Sequence, residues 1–92
     1  MKLNETLRKE AIRDLNGMLK YNTHPFREEE INGIIDILKT GNIKKYKKDI
    51  KLFVTQIKHF KAVNPYITDT MEYTISYINY LSLKDNSDDI DD

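Results

Sequence analysis

The chain contains no cysteine. Disulfides, thiolate nucleophiles and zinc–thiolate sites are thereby excluded. A domain this small that manages without disulfide staples is expected in a reducing compartment. Glycine and proline are also scarce, at three and two residues, which leaves little punctuation for the many turns of an all-β fold. There is no Gly-rich phosphate loop. No apolar run approaches the roughly 20 residues that span a bilayer. The stretch MKLNETLRKEAIRD carries charges every few positions and lacks the apolar region of a signal peptide. A cytoplasmic location is the expectation. Asn4-Glu5-Thr6 matches a glycosylation sequon, which carries no weight without a secretory signal.

Catalytic side chains are few. His24 and His59 are the only histidines. The first lies in a loop before Pro25, and the second lies between Lys58 and Phe60 at the edge of a lysine-rich face. Both read as surface residues. The run Asp85-Asn86-Ser87-Asp88-Asp89 faintly echoes a calcium loop, but its sixth position is Ile90 where that loop needs Gly. No enzymatic activity, cofactor or metal site is expected.

What is present is hydrophobic and charged in nearly equal measure. The 92 residues are 39% hydrophobic and 33% charged, a balance that suits a helical bundle better than a disordered chain. A domain of this size buries roughly 60–65% of its unfolded-chain surface, so its core is modest. The formal net charge is +0, and that zero hides an asymmetry. Asp85, Asp88, Asp89, Asp91 and Asp92 carry all the charge of the last eight residues. The segment 42–63 holds seven lysines (44, 45, 47, 48, 51, 58 and 61) against Asp49 alone. Two oppositely charged segments on one small protein are its main electrostatic feature.

Apolar spacing predicts four helices, at about 4–21, 26–40, 43–62 and 65–82. Leu3, Leu7, Ala11, Leu15, Met18 and Leu19 form the stripe of the first, where Gly17 is a candidate close helix crossing. Pro25 and Glu28–Glu30 suit the start of the second, Ile31, Ile34, Ile35 and Leu38 its buried face, and Gly41 its stop. In the third, Asn42 is the candidate cap, and Ile43, Tyr46, Ile50, Phe53, Ile57 and Phe60 step by three and four. Asn64 and Pro65 open the fourth, with Ile67, Met71, Ile75, Ile78 and Leu81 as one stripe and Tyr66, Tyr73, Tyr77 and Tyr80 as a second. Thr, Ile and Tyr are also good strand formers over 70–82. Helix is favoured there, because the cap and the proline agree and no partner strand is visible. The expected fold is all-α, an antiparallel four-helix bundle over 1–84 with a flexible acidic tail over 85–92.

Three surfaces are candidates for binding. Tyr73, Tyr77 and Tyr80 form a contact stripe or else a plain core edge; as a contact stripe they also allow a homodimer. Lys44, Lys45, Lys48, Lys51 and Lys58 form a basic face, either solvated or tracking phosphates. This face lacks outward base readers, and Lys47 stands where a helix-turn-helix around Gly41 needs an apolar residue, so specific DNA binding is not favoured. The tail aspartates solubilise the chain, fold back on the lysines, or mimic a nucleic-acid backbone or bind a basic partner.

The layout from Glu28 to Leu81 resembles the cytosolic immunity proteins of class II bacteriocin producers, of the lactococcin A and enterocin A types. The likeness lies in an acidic helix start (Glu28, Glu29, Glu30), a short helix ending Leu38-Lys39-Thr40-Gly41, and a long helix with Tyr46, Ile50, Phe53, Ile57 and Phe60. A break at Asn64-Pro65 and a last helix with Met71, Ile75, Ile78 and Leu81 complete it. The resemblance implies an antiparallel four-helix bundle whose last helix and C-terminal tail recognise a sugar-transporting membrane permease locked by the bacteriocin. On this chain the contacts would fall on Tyr73, Tyr77, Tyr80 and the residues from Leu83 onward. The acidity of Asp85–Asp92 departs from that pattern. It raises a rival, a phage or mobile-element inhibitor of a nuclease or host-defence complex, of the anti-CRISPR kind, acting in the host cytoplasm. Twelve lysines against three arginines, with abundant Ile, Asn and Tyr, suggest an AT-rich genome. That fits low-GC bacteria and their phages equally.

Overall fold

The structure, a computed structural model, describes residues 4–21 and 28–90, the side chains of Tyr21 and of 86–90 excepted. The described residues fold into α1 (Glu5–Tyr21), α2 (Glu28–Thr40), α3 (Ile50–Val63) and α4 (Thr68–Ile90), with 3-10 turns at Lys44–Tyr46 and Pro65–Ile67. The expected all-α architecture is the one observed. The segment 70–82, open to a strand reading, lies wholly within α4.

Side-chain bonds fix the direction of each helix. Arg8 near the start of α1 donates through Nη1 to the carbonyl of Leu38 at the end of α2, at 3.1 Å. Thr70 at the start of α4 donates to Asp14 Oδ2 in the second half of α1, at 2.7 Å. Gln56 in α3 donates to Glu30 at the start of α2, and Lys61 at the end of α3 meets Glu72 at the start of α4. The helices therefore run alternately up and down. The core between them holds Ala11 and Leu15 of α1, Ile31, Ile34, Ile37 and Leu38 of α2, Phe53, Ile57 and Phe60 of α3, and Met71 and Ile78 of α4.

α4 packs against all three other helices, which explains its two apolar stripes. Ile67, Met71 and Ile78 enter the core, and Tyr73 is buried as well. Thr70 and Thr74 are buried among them. In a helix their hydroxyls bond back to the preceding turn, Thr74 to the carbonyl of Thr70 at 2.8 Å and Thr70 to that of Ile67 at 3.0 Å. Such back-bonding lets a threonine enter a core without an unsatisfied hydroxyl.

The helix ends follow local chemistry. Gly41 has φ +71°, and its N–H donates to the carbonyl of Ile37 at 2.8 Å. Glycine tolerates this left-handed position, which ends α2. Asn64 accepts the N–H of Tyr66 at 3.1 Å, but a 3-10 turn intervenes before α4 begins at Thr68.

Three expectations are corrected. The helix expected over 43–62 is divided: a 3-10 turn covers Lys44–Tyr46, a turn follows, and α3 begins at Ile50. Four lysines at 44, 45, 47 and 48 would repel one another at the three- and four-residue spacings of a continuous helix. The turn also lets Tyr46 Oη donate to Asp36 at 2.6 Å while Lys44 and Lys47 both reach Asp85. Asn42 does not cap this segment; its own N–H donates to Thr40 Oγ1. The acidic tail expected to be flexible from Asp85 is instead helical through Ile90 as the end of α4, and Asp91 and Asp92 lie outside the described residues.

The glycines also differ from expectation. A Cβ at Gly17 would meet nothing within 4 Å, so Gly17 is not a close crossing. Close approach occurs at Gly33, where a Cβ would lie 2.7 Å from Phe53 Cζ and 3.2 Å from Tyr46 Cε1. Gly17→Ala is therefore expected to stabilise the protein by roughly 0.5–1 kcal/mol. Gly33→Ala is expected to destabilise it, because an overpacking cost of about 1–3 kcal/mol outweighs the helix-propensity gain. Urea-unfolding midpoints of the two variants should move in opposite directions; a shared direction would contradict this packing.

Candidate functional site

The C-terminal half of α4 presents exposed apolar side chains. Thr70 lies opposite Asp14, and antiparallel helices rise equally per residue. Asn4, the first described residue of the chain, therefore comes level with Tyr80. Lys44 and Lys47, in the chain between α2 and α3, reach this end of α4 through Asp85. Here two large apolar side chains face outward, Tyr80 at 38% exposure and Leu83 at 69%. They lie three residues apart, on one side of the helix.

The other candidate tyrosines are placed differently. Tyr73 is buried and cannot form part of an exposed contact stripe, which corrects the expectation for it. Its hydroxyl has no hydrogen-bond partner among the described residues, and burial pushes its pKa up. Its ring stacks on Tyr77, with centroids 5.9 Å apart. Tyr77 is half-buried, and its hydroxyl sits against Gly41 at the end of α2. The tyrosine stripe thus divides: Tyr73 belongs to the core, Tyr77 to its edge, and Tyr80 to the surface. Tyr66 is almost wholly exposed but stands at the opposite end of the bundle.

The lysine face is not one helix face. Lys44, Lys45 and Lys48 lie on the 3-10 turn and the turn after it, whereas Lys51 and Lys58 lie on α3; all five are exposed. Lys45 reaches Asp36 at 3.9 Å and covers the Tyr46 ring at 5.5 Å from its centroid. Lys44 and Lys47 reach Asp85 at 3.8 and 3.2 Å. Part of the basic charge is therefore answered within the chain.

Among the tail residues, Asp85 is set apart. It is only 5% exposed, and its Oδ1 has no hydrogen-bond partner among the described residues. Lys47 holds the other oxygen. Asp88 and Asp89 lie on α4, but their side chains are not described, and Asp91 and Asp92 fall outside the described residues, as does His24. His59 is exposed on α3. No group of three or more His, Cys, Asp or Glu among the described residues could hold a metal ion, and no helix there is long and apolar enough to cross a membrane.

The buried placement of Asp85 had a signal in the sequence. Met71, Thr74, Ile78, Leu81 and Asp85 continue one series of three- and four-residue steps, so Asp85 occupies the next inward position of the stripe. The Asp36–Tyr46 bond had none, because its partners lie on either side of the α2 stop. That bond leads the causes that push the Tyr46 pKa up to about 12; burial and the Asp36 charge add to it. An unfolded tyrosine titrates near 10. Between those values the unfolded chain binds fewer protons than the folded one, so stability falls as pH rises through this window. Tyr46→Phe should lose that component, and its urea midpoint should fall less steeply with alkaline pH than that of the wild type. Parallel slopes would contradict the bond.

No family model, curated protein or solved structure matches this chain.

Proposed function

We propose that this protein is a non-catalytic binding module that recognises a larger protein through the C-terminal half of α4. Following the resemblance in helix layout, the partner is a membrane permease complex engaged from its cytoplasmic side, as in bacteriocin immunity. The observation that carries the binding reading is the exposure of Tyr80 and Leu83 side by side on the C-terminal half of α4. Tyrosine supplies large contact area at low entropic cost and is enriched at interfaces. An exposed apolar pair beside a charged rim is also the pattern expected of a compact interface centre.

A second reading is an inhibitor of a nuclease or defence complex. What favours it is the concentration of aspartates at the end of α4, whose last turn contains no basic residue. Direct nucleic-acid binding by the lysines is disfavoured by the pairing of Lys44 and Lys47 with Asp85 and of Lys45 with Asp36.

Expression in a strain sensitive to class II bacteriocins should confer resistance. The double variant Tyr80→Ala/Leu83→Ser should lose it while its thermal unfolding stays near that of the wild type. Hot-spot truncations cost about 2 kcal/mol or more, roughly 30-fold in affinity. Absence of protection against every class II bacteriocin tested would reject the immunity reading. Inhibition of a nuclease that vanishes when 86–92 are deleted would establish the second reading in its place.

A further inference from the structure

α1 packs against α2 and α4, and α3 packs against α4, but direct packing between α2 and α3 is sparse. Two rings fill the space between them. Phe53 lies so close to Gly33 that a Cβ there would be 2.7 Å from its Cζ, and Tyr46 leans on Phe53 with ring centroids 5.6 Å apart. Beside these rings a groove of about 270 Å³ stays open, lined by Glu29 and Glu30 of α2 and by Tyr46, Asp49, Leu52 and Phe53. The rings and Leu52, which is 42% exposed, form its apolar part.

All the charges that line the groove are carboxylates. Glu29 and Asp49 are exposed. Asp49 stands at the N-cap of α3 yet makes no side-chain cap hydrogen bond, so its oxygens are left for other donors. Glu30 accepts from Gln56 at 3.1 Å, a neutral donor that leaves the charge in place. None of the three is in an ion pair among the described residues. The N-terminal poles of α2 and α3 offset only about half a charge each, so the groove stays net negative. Lys48 and Lys51 flank Asp49 in sequence but do not line the groove, and Lys45 is drawn to Asp36 at 3.9 Å.

An apolar strip edged by accessible, unpaired carboxylates fits a long cationic side chain. Lys and Arg lay their methylene stems along apolar surface and keep the charge at its edge. Aromatic rings add a cation–π attraction, and the Tyr46 ring already accepts one ammonium, that of Lys45, at 5.5 Å. Leu52 offers an anchor for an apolar neighbour of that side chain. The volume is below the roughly 300–1,000 Å³ of small-molecule sites, which suits one or two side chains of a peptide better than a free ligand.

We propose that the α2–α3 groove docks a basic segment of a partner protein, in which an apolar residue is flanked by Lys or Arg. The groove shares no residue with the Tyr80–Leu83 surface, and the proposal does not depend on what that surface binds.

The test is an NMR titration of the full ¹⁵N-labelled chain at low salt with N-acetyl-Arg-Leu-Arg-amide, N-acetyl-Arg-Ser-Arg-amide and N-acetyl-Glu-Leu-Glu-amide. The first probe should shift the amides of Glu29, Glu30, Asp49, Leu52 and Phe53. The second should bind more weakly and the third not at all. Glu29→Gln combined with Asp49→Asn should weaken the first probe by roughly three- to tenfold, as expected for two exposed ion pairs. Leu52→Ser should close the gap between the first two probes. Asp69→Asn, which removes an exposed carboxylate at the start of α4, should leave binding unchanged, as should Tyr80→Ala/Leu83→Ser. The substituted side chains are all exposed, so the helical circular-dichroism signal should be retained throughout. Equal binding of the first two probes, an equal loss with Asp69→Asn, or the absence of shifts at these amides would overturn the proposal. Shifts at the same amides that grow with protein concentration in the absence of probe would assign the groove to a second copy of the chain and overturn it as well.

Discussion

A 92-residue chain has too little apolar surface to build more than one small core, and this one meets the constraint by sharing a single helix among three partners. α4 lies against α1, α2 and α3. That placement decides which of its side chains can be apolar, which can be aromatic and which must find a bond. Met71 and Ile78 serve the core, Tyr73 is buried with them, and Thr70 and Thr74 fit only because their hydroxyls fold back onto the preceding turn. A helix surrounded in its first half has few positions left for solvent there, so its outward-facing apolar residues gather in the second half, at Tyr80 and Leu83.

The same helix organises the electrostatics. An acidic helix end is unfavourable, since the C-terminal pole of a helix is already negative. Lys44 and Lys47 approach that end through Asp85, one pair long and exposed, the other closer. They can do so because the chain between α2 and α3 is a 3-10 turn and not the continuation of α3. The break in the third helix and the helicity of the acidic segment thus belong to one arrangement: lysines that would repel along a continuous helix are presented to a carboxylate on its neighbour. Tyr46 fixes the turn on its other side by donating to Asp36.

Local signals were sufficient wherever a decision is made within a few residues. The stop at Gly41, the apolar stripes of α2 and α3 and the turn at Asn64-Pro65 were all legible, because capping and helical periodicity depend on near neighbours. The positions that misled were those where a distant partner decides. Gly17 and Gly33 look alike in sequence, and only the ring of Phe53 from α3 distinguishes them. Asn42 has the chemistry of a cap, yet Thr40 takes its N–H.

The candidate surface shows the same division. By itself the sequence determined an all-helical chain with no thiol chemistry, two oppositely charged segments and a last helix rich in tyrosine and isoleucine. Composition and period suffice for these, since they are properties of the chain and not of its packing. Only the tertiary structure separated the tyrosines into a core residue, an edge residue and a surface residue, and only it drew Asp85 out of the tail and into contact with Lys44 and Lys47. Three tyrosines on one helix share a periodicity that cannot say how many neighbours the helix has. Once α4 is known to have three, burial assigns each of them a different environment.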